Sequence, residues 1–253
     1  MTKLSVNVNK IATLRNTRSN GIPDIAHLAA IALDSGADGI TVHPRPDERH
    51  IRPDDVEALH RLLGQHPHAE YNIEGNPFHG LVEICERVRP HQATLVPDAR
   101  EALTSNHGWN LVELGQTGRA ALASAIARLH AAGCRVSLFV DPIEDMPKLA
   151  KQMGANRVEL YTEPYASAFA EGSVATSVAA YAKTASAARA EGLGVNAGHD
   201  LNLANLALFL AEAGPIDEVS IGHALIADAL EFGIADTVRR YRALCCGLRR
   251  VNV

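Results

Sequence analysis

The chain has 253 residues, of which 47% are hydrophobic and 21% are charged, and its formal net charge is −5. This composition is typical of a globular protein, we expect one domain over residues 1–253, and the lack of a global basic field argues against nucleic-acid binding. No run of about 18 apolar residues and no N-terminal secretory signal is present, so we expect a cytoplasmic protein with reduced cysteines and no membrane contact.

Eight buried-strand patterns are spread along the chain. The predicted strands cover 4–9, 39–43, 70–74, 92–97, 135–141, 157–162, 194–198 and 218–223. The predicted helices cover 24–35, 53–63, 80–88, 120–132, 143–153, 174–191, 203–213 and 224–244. At 34–42, 131–139, 152–160 and 190–197 a helix end is followed by glycine and then a strand. This repetition is typical of the short helix-to-strand loops of β/α units, so the sequence predicts an α/β fold, a (β/α)₈ TIM barrel with extra helices.

An open doubly wound sheet is the alternative architecture. No predicted strand is followed by the GxGxxG turn of a dinucleotide site, which favours the barrel. One connection is long, over 98–119, and it contains the only tryptophan, Trp109. Such an insertion is expected to serve as a lid or a subunit contact.

The stretch 39–50 is the first that indicates chemistry. Its apolar start predicts a buried strand with His43 as the last residue, and two prolines then prevent that strand or a helix from continuing. Arg45, Arg49 and His50 follow on the loop. Two interpretations are open from this stretch alone: an anion-binding loop, which suits paired arginines, and a basic surface loop.

Polar side chains lie at the ends of most predicted strands. They are Asn7, Asn9, His43, Glu74, Thr94, Asp98, Asp141, Glu159, Thr162, Glu163, His199 and His223. In a parallel barrel these ends share one face, while we expect glycines and small residues at the opposite face. Because buried polar groups cost free energy unless paired, this asymmetry predicts an active site. Any one histidine could instead be a hydrogen-bonded core or rim residue.

The residue types narrow the predicted chemistry to proton transfer. Glu74 together with several imidazoles supplies donors and acceptors near neutral pH. Glu159 lies inside a strand and is expected to face the barrel interior, where burial or a basic partner tunes it. Except for Lys10 just after the first strand, no lysine lies at a strand end inside the barrel, which disfavours a Schiff-base lysine aldolase. No HExxH motif or carboxylate cluster is present, which disfavours a metal centre.

Two anion sites are also predicted. Gly222 and His223 open the last helix, and residues 198–200 precede the seventh helix, which is where barrels hold phosphate on backbone N–H groups. Arg45 and His50, with Arg18 from the first loop, form the second candidate.

Eight motifs in order resemble the pyridoxine 5′-phosphate synthase family over nearly the whole chain. They are VNVNKIATLRNTR at 6–18, GADGITVHPRPDERHI at 36–51, NIEG at 72–75, ATLVPD at 93–98, CRVSLFVD at 134–141, RVELYTEPYA at 157–166, VNAGH at 195–199 and SIGHALI at 220–226. The resemblance implies condensation of 1-deoxy-D-xylulose 5-phosphate with 3-amino-2-oxopropyl phosphate to pyridoxine 5′-phosphate. It implies that the reaction needs no metal or organic cofactor. It also implies that the protein is a homo-oligomer, specifically an octamer.

The resemblance also assigns roles by position. His43 and Glu74 would be general bases, His199 an acid and Glu159 the residue that stabilises the transition state. The aminoketone phosphate would be held by Asn7, Arg18, Gly222 and His223, and the pentulose phosphate by Arg45, His50 and Thr104.

Two departures from the family pattern are Asn9-Lys10, where many members have Asp-His, and Asp200, where many have glycine. We expect Asp200 to cap the following helix, since aspartate is a favoured N-cap residue. Two rival functions remain at this point: a sugar-phosphate isomerase or epimerase, and a non-catalytic phosphate-ligand-binding barrel.

Overall fold

In the computed structural model, which describes residues 1–102 and 104–247, eight parallel strands close into a barrel in chain order. The strands are β1 (Lys3–Asn7), β2 (Gly39–Val42), β3 (Glu70–Gly75), β4 (Gln92–Leu95), β5 (Arg135–Val140), β6 (Arg157–Tyr161), β7 (Gly194–Gly198) and β8 (Glu218–Ile221). The predicted (β/α)₈ barrel is therefore confirmed. Several strands end one or two residues earlier than predicted, so His43 follows β2 rather than ending it.

Helices surround this barrel on its outer side. They are α1 (Asn9–Asn16), α2 (Ile25–Asp34), α3 (Pro53–Leu63), α4 (Val82–Val88), α5 (Gly115–Ala131), α6 (Met146–Gln152), α7 (Glu163–Ala170), α8 (Val174–Ala190), α9 (Leu206–Glu212), α10 (His223–Phe232) and α11 (Ile234–Cys245). Two of them, α1 and α7, were not predicted. The long helix predicted at 224–244 is two helices, because Gly233 has φ +74° and a helix cannot continue through that conformation. None of the described helices is long and apolar enough to cross a bilayer.

The hydrophobic core lies between the sheet and the helices. Alternate strand residues such as Leu4, Val6, Ile40 and Leu138 are fully buried there, together with apolar residues of the helices. Because side chains alternate across a strand, the intervening residues point into the barrel. The apolar residues that drive folding are therefore on the outside of the barrel wall.

The interior of the barrel is polar along most of its length. Hydrogen bonds that cross between non-adjacent strands establish the direction of these side chains: Gln92 of β4 donates to Glu218 of β8 at 3.4 Å, and Thr94 of β4 donates towards Glu159 of β6 at 3.4 Å. The expectation of an inward-facing Glu159 is thereby met. TIM-barrel interiors are usually filled with branched apolar residues, so this chain departs from the common pattern.

Charged residues occupy the end of the barrel where the strands begin. Glu70 forms ion pairs with Lys3 and Arg135, and Arg157 lies 4.0 Å from Glu218. The glycines expected at this face are present in the helix-to-strand loops, at Gly36, Gly133, Gly154 and Gly192, but the charged side chains in the lumen were not expected. Each charge here has an opposite charge or an amide within reach, which is what makes such a layer tolerable in a protein interior.

The insertion between β4 and α5 is anchored on the barrel by its tryptophan. The indole N–H of Trp109 donates to the Leu95 carbonyl at 3.0 Å, and its backbone N–H donates to the Phe139 carbonyl at 2.8 Å. The neighbouring Gly108 lies so close to β5 that a Cβ there would be 2.3 Å from the Cα of Val140. Only glycine permits this approach.

Candidate active site

A cavity of about 570 Å³ opens at the carboxyl ends of the strands. Ten of the eleven predicted site residues line it: Asn7, His43, Arg45, His50, Glu74, Thr104, Glu159, His199, Gly222 and His223. Arg18 lies just after α1, is exposed to solvent and does not line the cavity. Residues separated by more than two hundred positions therefore converge on one site.

His43 is held at the edge of the cavity just beyond β2. The side-chain carbonyl of Asn9 accepts a hydrogen bond from the backbone N–H of His43 at 3.0 Å, which fixes the point where the chain leaves the strand. Burial, and then the positive charge of Arg45, hold the pKa of His43 well below its usual value. The imidazole is therefore neutral near pH 7 and able to accept a proton.

Arg45 joins the loop after β2 to the insertion after β4. It forms a buried ion pair with Asp98 and donates to the Ala102 carbonyl at 2.7 Å. Ser105 donates to the same Asp98 carboxylate at 2.7 Å. The guanidinium thus supports the cavity wall as well as supplying positive charge, a structural task that the sequence did not indicate.

His50 is positioned by the unpredicted helix α1. Asn16 donates to the His50 carbonyl at 2.9 Å, and Arg15 donates to the same oxygen at 3.2 Å while pairing with Asp55. The Nδ1 atom of His50 accepts the backbone N–H of Ile51 at 2.9 Å. Burial and the charge of Arg45 lower the pKa of His50 to about 4, so its ring is neutral with Nε2 as the donor.

Two carboxyl groups in the cavity have raised pKa values. Desolvation, followed by the charges of Glu159 and Asp98, raises the pKa of Glu74 well above its usual range. Burial, followed by the charge of Glu218, raises the pKa of Glu159 to about 8. A Cβ on Gly198 would lie 2.7 Å from Oε1 of Glu159, so the glycine makes room for this carboxyl. Both groups therefore favour the protonated state near neutral pH.

His199 is contacted on several sides. The Thr104 hydroxyl lies 3.3 Å from its Nε2 and a carboxylate oxygen of Asp200 lies 2.9 Å from its Nδ1. The ring of Tyr161 packs edge to face against the imidazole with centroids 5.2 Å apart. The expectation that Asp200 caps the next helix was wrong: its side chain turns to His199, and Asn205 occupies the N-cap position of α9.

The two segments predicted to form the first anion site differ in their relation to helices. Gly222 is the N-cap residue of α10, so the first turn of this ten-residue helix faces the cavity beside His223. A Cβ on Gly222 would lie 3.1 Å from the Cβ of Asn7, which shows how tightly β1 and β8 converge there. Residues 198–200 do not open a helix, because α9 begins only at Leu206.

Further residues line the cavity that are not among the predicted catalytic and substrate-binding residues. Among them are Lys10, Thr13, Arg49, Ser105, Asp200 and Ser220. Lys10 adds a cation to the side occupied by His50. No group of three or more His, Cys, Asp or Glu side chains in the described parts of the chain is arranged to hold a metal ion.

The comparisons with solved structures agree with the observed fold. Thiamine phosphate pyrophosphorylase from Pyrococcus furiosus superposes with a TM-score of 0.61 at 13% identity, covering 98% of this chain and 97% of its own. Phosphoribosyl anthranilate isomerase from Thermotoga maritima gives 0.57 at 14% identity, covering 98% and 100%. At these identities the likeness shows the barrel alone.

The sequence comparisons identify the family. The family model for the Pyridoxal phosphate biosynthesis protein PdxJ matches residues 4–247. A protein named pyridoxine 5′-phosphate synthase from Albidiferax ferrireducens is 52% identical over 245 residues, covering 95% of this chain and 96% of its own. Proteins with the same name from Porphyromonas gingivalis and Xanthomonas campestris are 50% and 52% identical, over 96% and 97% of this chain and 98% and 97% of their own. The chain therefore belongs to the PdxJ family of pyridoxal phosphate biosynthesis proteins, whose relatives are named pyridoxine 5′-phosphate synthase.

Proposed function

We propose that this protein is a pyridoxine 5′-phosphate synthase. It condenses 1-deoxy-D-xylulose 5-phosphate with 3-amino-2-oxopropyl phosphate, releasing pyridoxine 5′-phosphate, inorganic phosphate and water. The observation that carries the proposal is one cavity in which acid/base side chains lie among cationic side chains and a helix N-terminus. A sugar-phosphate isomerase needs one phosphate-binding site and one acid/base pair, whereas this cavity has positive groups on two sides.

The protonation states of the cavity side chains support a condensation that begins with imine formation. His43 starts neutral and accepts a proton from the attacking amine, while protonated Glu74 donates one to the departing hydroxyl as water leaves. The resulting Glu74 carboxylate then acts as the base in the later proton transfers. His199 serves as acid when the phosphate leaves, and Glu159, neutral at the start, stabilises charge in the transition state.

We assign the two substrate phosphate groups to separate binding sites. The aminoketone phosphate lies at the N-terminus of α10, on Gly222 and His223 with Asn7 beside them. The family resemblance adds Arg18 to this group, although Arg18 does not line the cavity in this structure. The pentulose phosphate lies at Arg45, His50 and Thr104. Because Asp98 neutralises part of the charge of Arg45, we assign Lys10 as an additional cation at this second site.

A coupled product assay tests the proposed function. Purified protein is incubated with both substrates, and pyridoxine 5′-phosphate is detected by mass spectrometry while inorganic phosphate is measured in parallel. We expect one phosphate released for each product molecule and no product when either substrate is omitted. Rearrangement of one sugar phosphate alone, or binding of both without turnover, would reject the proposal in favour of an isomerase or a binding barrel.

Assembly and compartment complete the proposal. We infer a homo-octamer from the resemblance to the pyridoxine 5′-phosphate synthase family. We infer a cytoplasmic location because phosphorylated substrates are retained on the side of the membrane where they are made. Light scattering of the purified protein measures the assembly: a mass near eight times the 27.0 kDa chain is expected, and a stable monomer would contradict it.

A further inference from the structure

The short segment that carries His199 has an unusual backbone. His199 has φ +95° and Asp200 has φ +58°, so two consecutive residues other than glycine lie in the left-handed region. Such conformations persist where the surrounding structure holds them, and they cluster at functional sites. Here the hydroxyl of Thr162 donates to the His199 carbonyl at 2.5 Å, and the side-chain amide of Asn205 donates to the Asp200 carbonyl at 3.1 Å.

The strained backbone places the side chain of Asp200 against the imidazole of His199. Its carboxylate meets Nδ1 of His199 at 2.9 Å, and the hydrogen bond with His199 lowers the pKa of Asp200, so the carboxylate is charged. A charged carboxylate only accepts hydrogen bonds, so Nδ1 must carry a proton. Nε2 is then the nitrogen that gains the second proton and gives it up when His199 acts as an acid, and it faces Thr104 at 3.3 Å.

We propose that Asp200 is a positioning residue that fixes the tautomer and orientation of His199, so that Nε2 is presented to the substrate. A neighbouring carboxylate is a common way of setting which ring nitrogen reacts. A glycine at position 200 would adopt φ +58° freely but could not hold the imidazole. The proposal rests on the proposed role of His199 in pyridoxine 5′-phosphate synthesis.

Asp200→Gly separates positioning from stability, because the two effects have opposite signs. Glycine removes the backbone strain, so we expect the Tm to be unchanged or higher, while kcat falls at least tenfold with a smaller change in KM. Asp200→Asn keeps an acceptor for Nδ1–H and should lose less kcat than Asp200→Gly. Arg89→Gly is the matched control, since Arg89 has φ +52° at the end of α4, away from the cavity, and should keep full kcat.

Two measurements decide the proposal. In the His199→Gln background, Asp200→Gly should cost no further kcat, because an effect exerted through His199 cannot appear without it. Solid-state NMR of ¹⁵N-histidine-labelled protein should show the Nδ1–H tautomer for His199, assigned by its loss in His199→Gln, and a tautomer mixture in Asp200→Gly. Unchanged kcat in Asp200→Gly, a full loss repeated in the double variant, or an Nε2–H tautomer in the wild type would overturn it. The NMR result is independent of turnover, so it stands apart from a failure of the product assay.

Discussion

Burial shifts the pKa values of His43 and Glu74 in opposite directions, so His43 enters the reaction as a neutral base and Glu74 as a protonated acid. The imidazole is kept neutral by burial and by Arg45, and the carboxyl is kept protonated by desolvation and by nearby carboxylates. The cavity thus contains a base and an acid carried at the ends of the neighbouring strands β2 and β3. A cationic iminium formed between them would lower the pKa of Glu74, because an opposite charge favours the ionised carboxylate.

Replacement of these two side chains should remove turnover and keep the fold. His43→Asn and Glu74→Gln retain polar shapes but cannot exchange the proton, so we expect kcat to fall by about 10²- to 10⁴-fold. Circular dichroism and Tm serve as the structural control. Kinetics close to wild type in either variant would withdraw the role assigned to that residue.

Glu159 gives a pH-dependent prediction for stability. Its pKa of about 8 in the folded protein is above that of the unfolded chain, so its contribution to stability is complete below about pH 4.5 and is lost as the pH rises through 8. Glu159→Gln removes this titration. The Tm of the variant relative to wild type should therefore increase between pH 5 and pH 8.5, as measured by calorimetry at both values. A constant difference would show that Glu159 is ionised throughout.

At the residue scale, the sequence was enough to predict which polar residues lie at strand ends. It did not predict the hydrogen bonds that hold those residues in place. His43 and His199 directly follow strands and Glu74 lies near the end of one, so the barrel rule placed them together. The link from Asn9 to the backbone of His43 and the turn of Asp200 towards His199 depend on local backbone angles. No periodicity in the sequence reports those angles, so these contacts could not be predicted.

At the scale of elements, the insertion after β4 depends on its close contact with β5. Gly108→Ala would put a Cβ 2.3 Å from Val140, so we expect Trp109 to be displaced from its bond with Leu95 and kcat/KM to fall about tenfold or more. A red shift of the tryptophan fluorescence reports the displacement. Gly64→Ala, at the end of α3, is the control, because the nearest atom to a new Cβ there is 3.3 Å away. Unaltered fluorescence in Gly108→Ala would contradict the packing described for this segment.

The eight strands were predictable because each either follows a helix that ends at a glycine or is itself a short apolar run. The short helices were less visible. The helix α1 buries only Ile11 and Ala12, so its apolar stripe is too narrow to stand out in a polar segment. The helix α7 begins with Glu163 and a proline, which is a normal helix start that also occurs in turns. Tertiary contacts with the cavity loops, rather than sequence periodicity, determine where α1 lies.

At the scale of the whole molecule, stability is divided between an apolar shell outside the barrel wall and hydrogen-bonded or paired polar groups within it. The charged layer at the start of the strands was missed because alternating strands with one polar face resemble strands that face solvent. A closed barrel turns that second face inward. The expectation of one catalytic domain over residues 1–253 remains a prediction.

Glu70 is the centre of the charged layer and provides a test of it. Although burial opposes ionisation, hydrogen bonds from Arg135 and Lys3 lower the pKa of Glu70 to about 2. Its stabilising contribution is therefore present above about pH 4.5 and lost as the pH falls towards 2. We expect Glu70→Gln to lower the free energy of unfolding by about 1–3 kcal/mol at pH 7 and by much less at pH 3, as measured by urea titration. Adding Arg135→Gln should cost less than the sum of the single changes, since it removes the cation left unpaired.

The polar lumen also bears on how this family can diverge. A leucine on the outer face of a strand can drift to isoleucine alone, but a lumen charge such as Glu70 cannot change without stranding Lys3 and Arg135. Evolutionary change inside the barrel should therefore proceed in matched sets. In an alignment of relatives, pairs of positions on facing strands of the lumen should covary more strongly than positions on the helix-facing side.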